Sequence, residues 1–180
     1  MLVFKFYFKG ERGLYSMRIH TVIERRPVYQ QYRKWFVLDE EFPWDLYILQ
    51  KHIFGCLNKS FLIPVVFCDS CEANKIVSEL GKEEAEYLHF ASGLYWREVG
   101  IIFIFKFDAY LPLIEVLFHE LRHVMQDGIP FFQKHFELDK HLPYEERIIE
   151  RDAFAYAKYY VKKFIKHNQH FLHEHQMLYM

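Results

Sequence analysis

The hydrophobic positions change period several times along the chain, and each change marks an element. Residues 2–8 alternate, with Leu2, Phe4, Phe6 and Phe8 on one side and Val3, Lys5 and Tyr7 on the other, the period-two signature of a half-buried strand. Gly10 and Gly13 punctuate it, and residues 14–24 are expected to return as the second strand of a hairpin. The segment PWDLYILQKHIFGCLNK follows, placing Trp44, Tyr47, Ile48 and Leu57 near one helical face with Pro43 at the tolerated first position. Residues 61–67 (FLIPVVF) form a short apolar run expected to be a buried strand, which Pro64 restricts to an edge or irregular position. Asp69 stands three residues before Glu72, a capping arrangement for a helix running to Gly81, and a second short helix is expected over residues 82–90. Residues 94–107, with the core VGIIFIFKF, combine β-branched and aromatic side chains and form the strongest strand candidate.

The helix that follows is better defined. Pro112 fits its first turn, Leu113, Ile114, Leu117, Phe118, Leu121, Val124 and Met125 supply a broad apolar face, and Gly128 with Pro130 stops it. After a connection rich in aromatics, Pro143 opens a last long helix without a breaker to about residue 167, with Lys158, Lys162, Lys163 and Lys166 towards the end where the dipole favours cations. An apolar stripe over residues 113–125 needs a sheet to cover, so the fold class expected is α+β. In it a small mixed or antiparallel sheet packs on the helix of residues 112–126, with the final helix alongside.

Composition narrows the function. Half of the residues are hydrophobic (52%) and 19% aromatic, so the 180-residue chain builds a sizeable core and fits one domain. With 23 basic and 24 acidic residues there is no overall field to attract nucleic acid or an acidic membrane surface. The apolar N-terminal run is interrupted by Lys5 and Lys9 and is too short for a signal peptide, and no window resembles a membrane span, so a cytoplasmic location is the expectation. Three cysteines, Cys56, Cys68 and Cys71, do not suggest a disulfide framework. Cys68 and Cys71 form a CxxC, but without a second CxxC or a thioredoxin-like pattern they read as two ordinary thiols. His167, His170, His173 and His175 read as the polar face of a terminal helix.

The chemistry concentrates at His119-Glu120-Leu121-Arg122-His123, an HExxH motif. Histidines four apart on a helix project from one face, so both imidazoles can reach one zinc ion. Glu120, rotated by about 100° from His119, lies beside that ion, where a general base for a zinc-activated water must sit. In a chain with 11 histidines so short a pattern can arise by accident, and context decides: the motif sits inside a capped helix, behind a strong strand and ahead of an acidic helix. A catalytic zinc takes three protein ligands and leaves a place for water. Gln126 and Ile129 occupy the positions of the glycine and third histidine in HExxHxxGxxH, so the third ligand is expected to be a carboxylate. Glu145, Glu146, Glu150 and Asp152 are candidates. Glu150 is preferred because Ala153, Ala155 and Ala157 let its side of the helix approach closely, and Glu146, one turn earlier, is the runner-up or a group that orients a histidine. Arg122 is expected to pair with a carboxylate, and Tyr144 and Tyr156 are candidates for an oxyanion-stabilising hydroxyl.

HELRH on an apolar helix, the preceding IIFIFKF and the later ERDAFAYA resemble a minimal gluzincin-type zincin over residues 94–160, the expected catalytic core. More narrowly the chain is similar to the small zincin-like metallopeptidases of bacilli and their phages, and more distantly to ImmA/IrrE-like proteins. The resemblance implies that residues 101–107 border the cleft and pair with an extended substrate, and that Glu150 is the glutamate ligand. The gluzincin pattern often places Asp or Asn four residues after that glutamate, whereas position 154 here is Phe. The function expected is a zinc-dependent metallopeptidase acting on a protein or peptide substrate, including the possibility of a regulatory protease that cleaves a single partner. The alternative is a non-catalytic zincin-fold protein that binds a peptide or a regulatory partner.

Overall fold

The structure, a computed structural model, describes residues 12–83 and 90–174. The elements run α1 (Arg12–Glu24), β1 (Gln30–Tyr32), β2 (Trp35–Val37), α2 (Leu46–Leu57), β3 (Val65–Phe67), α3 (Ser70–Glu79), β4 (Gly93–Trp96), β5 (Ile101–Ile104), α4 (Tyr110–Gln126), α5 (Pro130–Leu138), a 3-10 turn (Tyr144–Glu146), α6 (Ile148–His167) and α7 (Gln169–Glu174). The fold is α+β, with one mixed sheet in the order β1-β2-β3-β5-β4. β2, β3 and β5 are parallel, and β1 and β4 run antiparallel on the two edges.

Alternation along the strands divides the core. Trp35, Val37, Val65, Phe67, Ile102 and Ile104 face α2, α4 and α6. Phe36, Val66, Ile101 and Phe103 face the other way, towards α1 and α3. All are essentially inaccessible, as strands sandwiched between helical layers must be. The seven apolar residues expected on the α4 stripe are all buried.

Several local expectations are overturned. Residues 14–24 form helix α1 and not a returning strand: Ile19, Val22 and Ile23 recur at helical spacing and bury together against the sheet. The strand expected over residues 2–8, and residues 84–89 of the expected short helix, lie outside the described residues. β3 is central, because Pro64 sits one residue ahead of the ladder and needs only its carbonyl, which accepts from Ile102 N at 2.9 Å. Helix α2 starts at Leu46, capped by Asp45 through Ile48 N at 2.8 Å, and its buried face is Leu46, Leu49, Ile53, Cys56 and Leu57, leaving Tyr47 half exposed. Residues 94–107 are a hairpin, broken where Gly100 takes a positive φ of 74°.

The connection after α4 is itself helical, with Pro130 opening α5. Nor does the last helix start at Pro143. Arg147 is extended, and the carboxylate of Asp139, at the end of α5, accepts from Ile148 N at 3.1 Å, so α6 begins there. Glu146 is thereby left in the exposed 3-10 turn and Glu150 enters the first helical turn. Ala153 and Ala157 are fully buried in the seam between α4 and α6, while Ala155 faces away into solvent. No helix among the described residues is long and apolar enough to cross a membrane.

Candidate metal centre

His119 and His123 leave the buried face of α4 one turn apart, and Glu150 reaches them from the first turn of α6. The two Nε2 atoms are 3.0 Å apart, and Glu150 Oε2 lies 3.3 Å from each. Three donor atoms thus form a near-equilateral triangle with no protein hydrogen to reconcile all of its sides. Glu150 Oε2 is buried without a hydrogen bond of good geometry. In a tetrahedral shell with bonds of about 2.0–2.1 Å, neighbouring donors stand about 3.3 Å apart, so the triangle fits zinc. Two imidazoles and one carboxylate are a donor set able to hold a metal ion.

The charges respond to this crowding. Burial tends to lower the His123 pKa, but Glu150 as a hydrogen-bond acceptor, the nearby Glu120 and Glu150 charges and Gln126 outweigh it and raise it to about 9. Burial pushes Glu150 up, yet the two histidines and the Tyr144 hydroxyl hold it well below the usual carboxylate range. Both shifts belong to the metal-free protein, where a proton partly takes the role of a cation.

Glu120 lies on the same turn as the histidines but turns towards the sheet. Its Oε2 accepts from Tyr95 N of β4 at 2.7 Å. Burial raises its pKa, against the histidine charges and that backbone donor. β4 comes close enough to permit this because position 93 is glycine: a Cβ there would sit 2.6 Å from Val116 Cγ1. Further along β4, the Tyr95 hydroxyl bonds Asp127 Oδ2 at 2.7 Å, and Arg97 pairs with the same carboxylate, fastening the strand to the end of α4.

Of the other residues singled out in the sequence, Tyr144 stands at the site. Its hydroxyl is 3.5 Å from His119 Nε2, and the residue, 49% exposed, forms the rim with Phe154, 39% exposed. Tyr156 does not reach the triad; it packs on Tyr160 and beneath the Arg122 guanidinium. Asp152 is a partner of Arg122, at 2.6 and 3.2 Å, and Glu145 and Glu146 are exposed in the 3-10 turn. The substrate-pairing role assigned to residues 101–107 is not available to β5, whose two edges are taken by β3 and β4; the edge strand beside the motif helix is β4. Cys68 is buried at the end of β3 with its thiol pushed up by burial, whereas Cys71 is exposed on α3, so the CxxC does not present a pair. Among the described residues, His119, His123 and Glu150 are the group of three donors able to hold a metal ion.

Two features escaped the sequence. Gln126 Oε1 lies 2.8 Å from His123 Nδ1, where a histidine ligand needs an outer partner. Phe154, in the place of the expected Asp or Asn, lays its ring against His119 at 4.6 Å between centroids, and His119 Nδ1 is buried without a partner. The position of Gln126 three residues after His123 is the available signal, since i and i+3 side chains meet on a helix.

Residues 37–168 match the family described as "Protein of unknown function (DUF3920)", and the chain belongs to that family. The match takes in α2 to α6 and hence every residue of the triad. No curated protein and no solved structure gives a significant match.

Proposed function

We propose that this member of the DUF3920 family is a zinc-dependent metallopeptidase with a minimal zincin-like core, in which His119, His123 and Glu150 hold the metal and Glu120 is the general base. The observation that carries the reading is the triangle of donor atoms at 3.0, 3.3 and 3.3 Å, built from an HExxH helix and a neighbouring glutamate. When bound, zinc would polarise the scissile carbonyl and lower the pKa of a water molecule to about 7.

The chain's own groups supply the rest. Glu120, with its proton affinity raised by burial and one oxygen tied to Tyr95 N, has the other oxygen to take a proton from attacking water and return it to the leaving amine. Tyr144, its hydroxyl beside the triad and its own deprotonation opposed by burial and the Glu150 charge, remains a donor throughout and is placed to stabilise charge developing on the carbonyl oxygen. The exposed rings of Tyr144 and Phe154 line the approach, which suits a protein or peptide chain more than a small ion.

Metal content of the purified protein by mass spectrometry, together with cleavage of a peptide library, tests this. About one zinc per chain is expected, lost in His119→Ala, His123→Ala and Glu150→Gln but kept in Glu120→Gln, which should abolish cleavage. Full zinc in His123→Ala would place the metal elsewhere. Zinc with no cleavage by the wild type would leave a peptide-binding zincin-fold protein.

A further inference from the structure

Gln126 closes α4, and its amide is bonded at both ends. Nε2 donates to Ile149 O at 2.9 Å and to Asp152 Oδ2 at 2.7 Å. Neither partner has a hydrogen to offer, since one is a carbonyl and the other a carboxylate engaged by Arg122 through two nitrogens. Turning the amide over would set its oxygen against two oxygens, exchanging two hydrogen bonds for two repulsions. The surroundings therefore assign the orientation, and Oε1 is the atom that meets His123 Nδ1 at 2.8 Å.

An amide oxygen only accepts, so Nδ1 must carry the hydrogen. A neutral imidazole has one, and the Nε2 lone pair is then left facing His119 Nε2 and Glu150 Oε2. We propose that Gln126 is a positioning residue that fixes His123 as its Nδ1–H tautomer, ready to bind metal through Nε2, with the Arg122–Asp152 pair holding the amide from behind. The inference rests on the metal reading of the triad. It concerns one histidine only, because His119 Nδ1 has the Phe154 ring beside it and no acceptor. Arg122, at a variable position of the motif, thereby gains a role, since it keeps Asp152 where the amide needs it.

The experiment combines nitrogen-15 spectra of the histidine rings with zinc affinity by chelator competition. In the zinc-loaded wild type, His123 should carry a slowly exchanging hydrogen on Nδ1 and none on Nε2. In metal-free protein, at a pH where the His123 ring is neutral, the same tautomer should persist because Gln126 Oε1 still faces Nδ1, which reads the inference even if no zinc binds. Gln126→Leu should weaken zinc about 10- to 100-fold and speed exchange of that hydrogen. Asp152→Asn, which frees the amide to turn, should do the same to a smaller degree. An Nε2–H tautomer in the wild type, or a Gln126→Leu protein with unchanged affinity and unchanged spectrum, overturns the assignment. Absence of zinc from a wild type that still shows the Nδ1–H tautomer overturns the metal reading instead. Should Gln126→Leu fail to fold, the wild-type spectra decide alone.

Discussion

Gly93→Ala tests how closely the edge strand must approach the motif helix. The added carbon would lie 2.6 Å from Val116 Cγ1, 3.2 Å from Glu120 Cγ and 3.3 Å from Ile104 Cδ1. Favourable carbon contacts begin at about 3.5 Å, so β4 and α4 must part by close to an ångström or Val116 must leave its rotamer. Overpacking of this kind costs about 1–3 kcal/mol. Parting also stretches the 2.7 Å bond from Tyr95 N, and a buried carboxylate that loses its donor costs about 1–3 kcal/mol more. The total is about 2–6 kcal/mol, read as a lower urea midpoint at unchanged slope and a fall in Tm of about 4–24 °C. Val116→Ala removes the nearest atom, so the double variant should recover most of the loss, a coupling that additive effects would not give. A Gly93→Ala protein within about 0.5 kcal/mol of wild type, or simple additivity with Val116→Ala, refutes the close-approach argument.

Three further outcomes are expected. Tyr144→Phe should keep zinc affinity within a few-fold and lower kcat by about 10²–10³, measured on any peptide the wild type cleaves. Phe154→Asn, which offers His119 Nδ1 an acceptor one turn from Glu150, should tighten zinc by up to about tenfold in chelator competition, and a looser site would show that the ring itself is needed. In metal-free protein the folded-state pKa of His123 is raised to about 9, so its contribution is fully present below the unfolded value near 6.5 and is lost as pH rises through 9. Urea midpoints should accordingly fall across that window by on the order of a few kcal/mol in stability, and His123→Gln should abolish this part of the slope.

Helix α4 is legible in the sequence because its signals agree: the apolar residues from Leu113 to Met125 keep one helical period, and the two histidines share that period on the facing side. Glu150 is legible through its small neighbours Ala153 and Ala157, which local packing alone requires. Failures arise where a distant group decides. The start of α6 depends on Asp139, whose carboxylate arrives from another helix, so the breaker-free stretch after Pro143 reads as helix before the helix begins and puts Glu146 one turn from Glu150. Residues 14–24 present apolar side chains compatible with both periods, and only burial of Ile19, Val22 and Ile23 against the sheet selects the helix. The hairpin within 94–107 is hidden because both of its strands are apolar and only the left-handed turn at Gly100 separates them.

The sheet divides the molecule into two regions that should respond differently to damage. Side chains of Phe36, Val66, Ile101 and Phe103 pack with α1 and α3, while the triad hangs from α4 and α6 on the opposite face, and strands of three or four residues are all that lies between. A cavity made beneath α3, as in Ile76→Ala, loosens the backbone that supports both faces but leaves the α4–α6 seam intact. Such a protein should melt earlier with or without zinc, by the same margin, because linkage adds the same increment to a folded state whose binding site is unaltered. A cavity in the seam, as in Ala157→Gly or Phe118→Ala, should instead narrow the difference between the loaded and stripped proteins, so that paired melting curves would tell which layer a given substitution had reached.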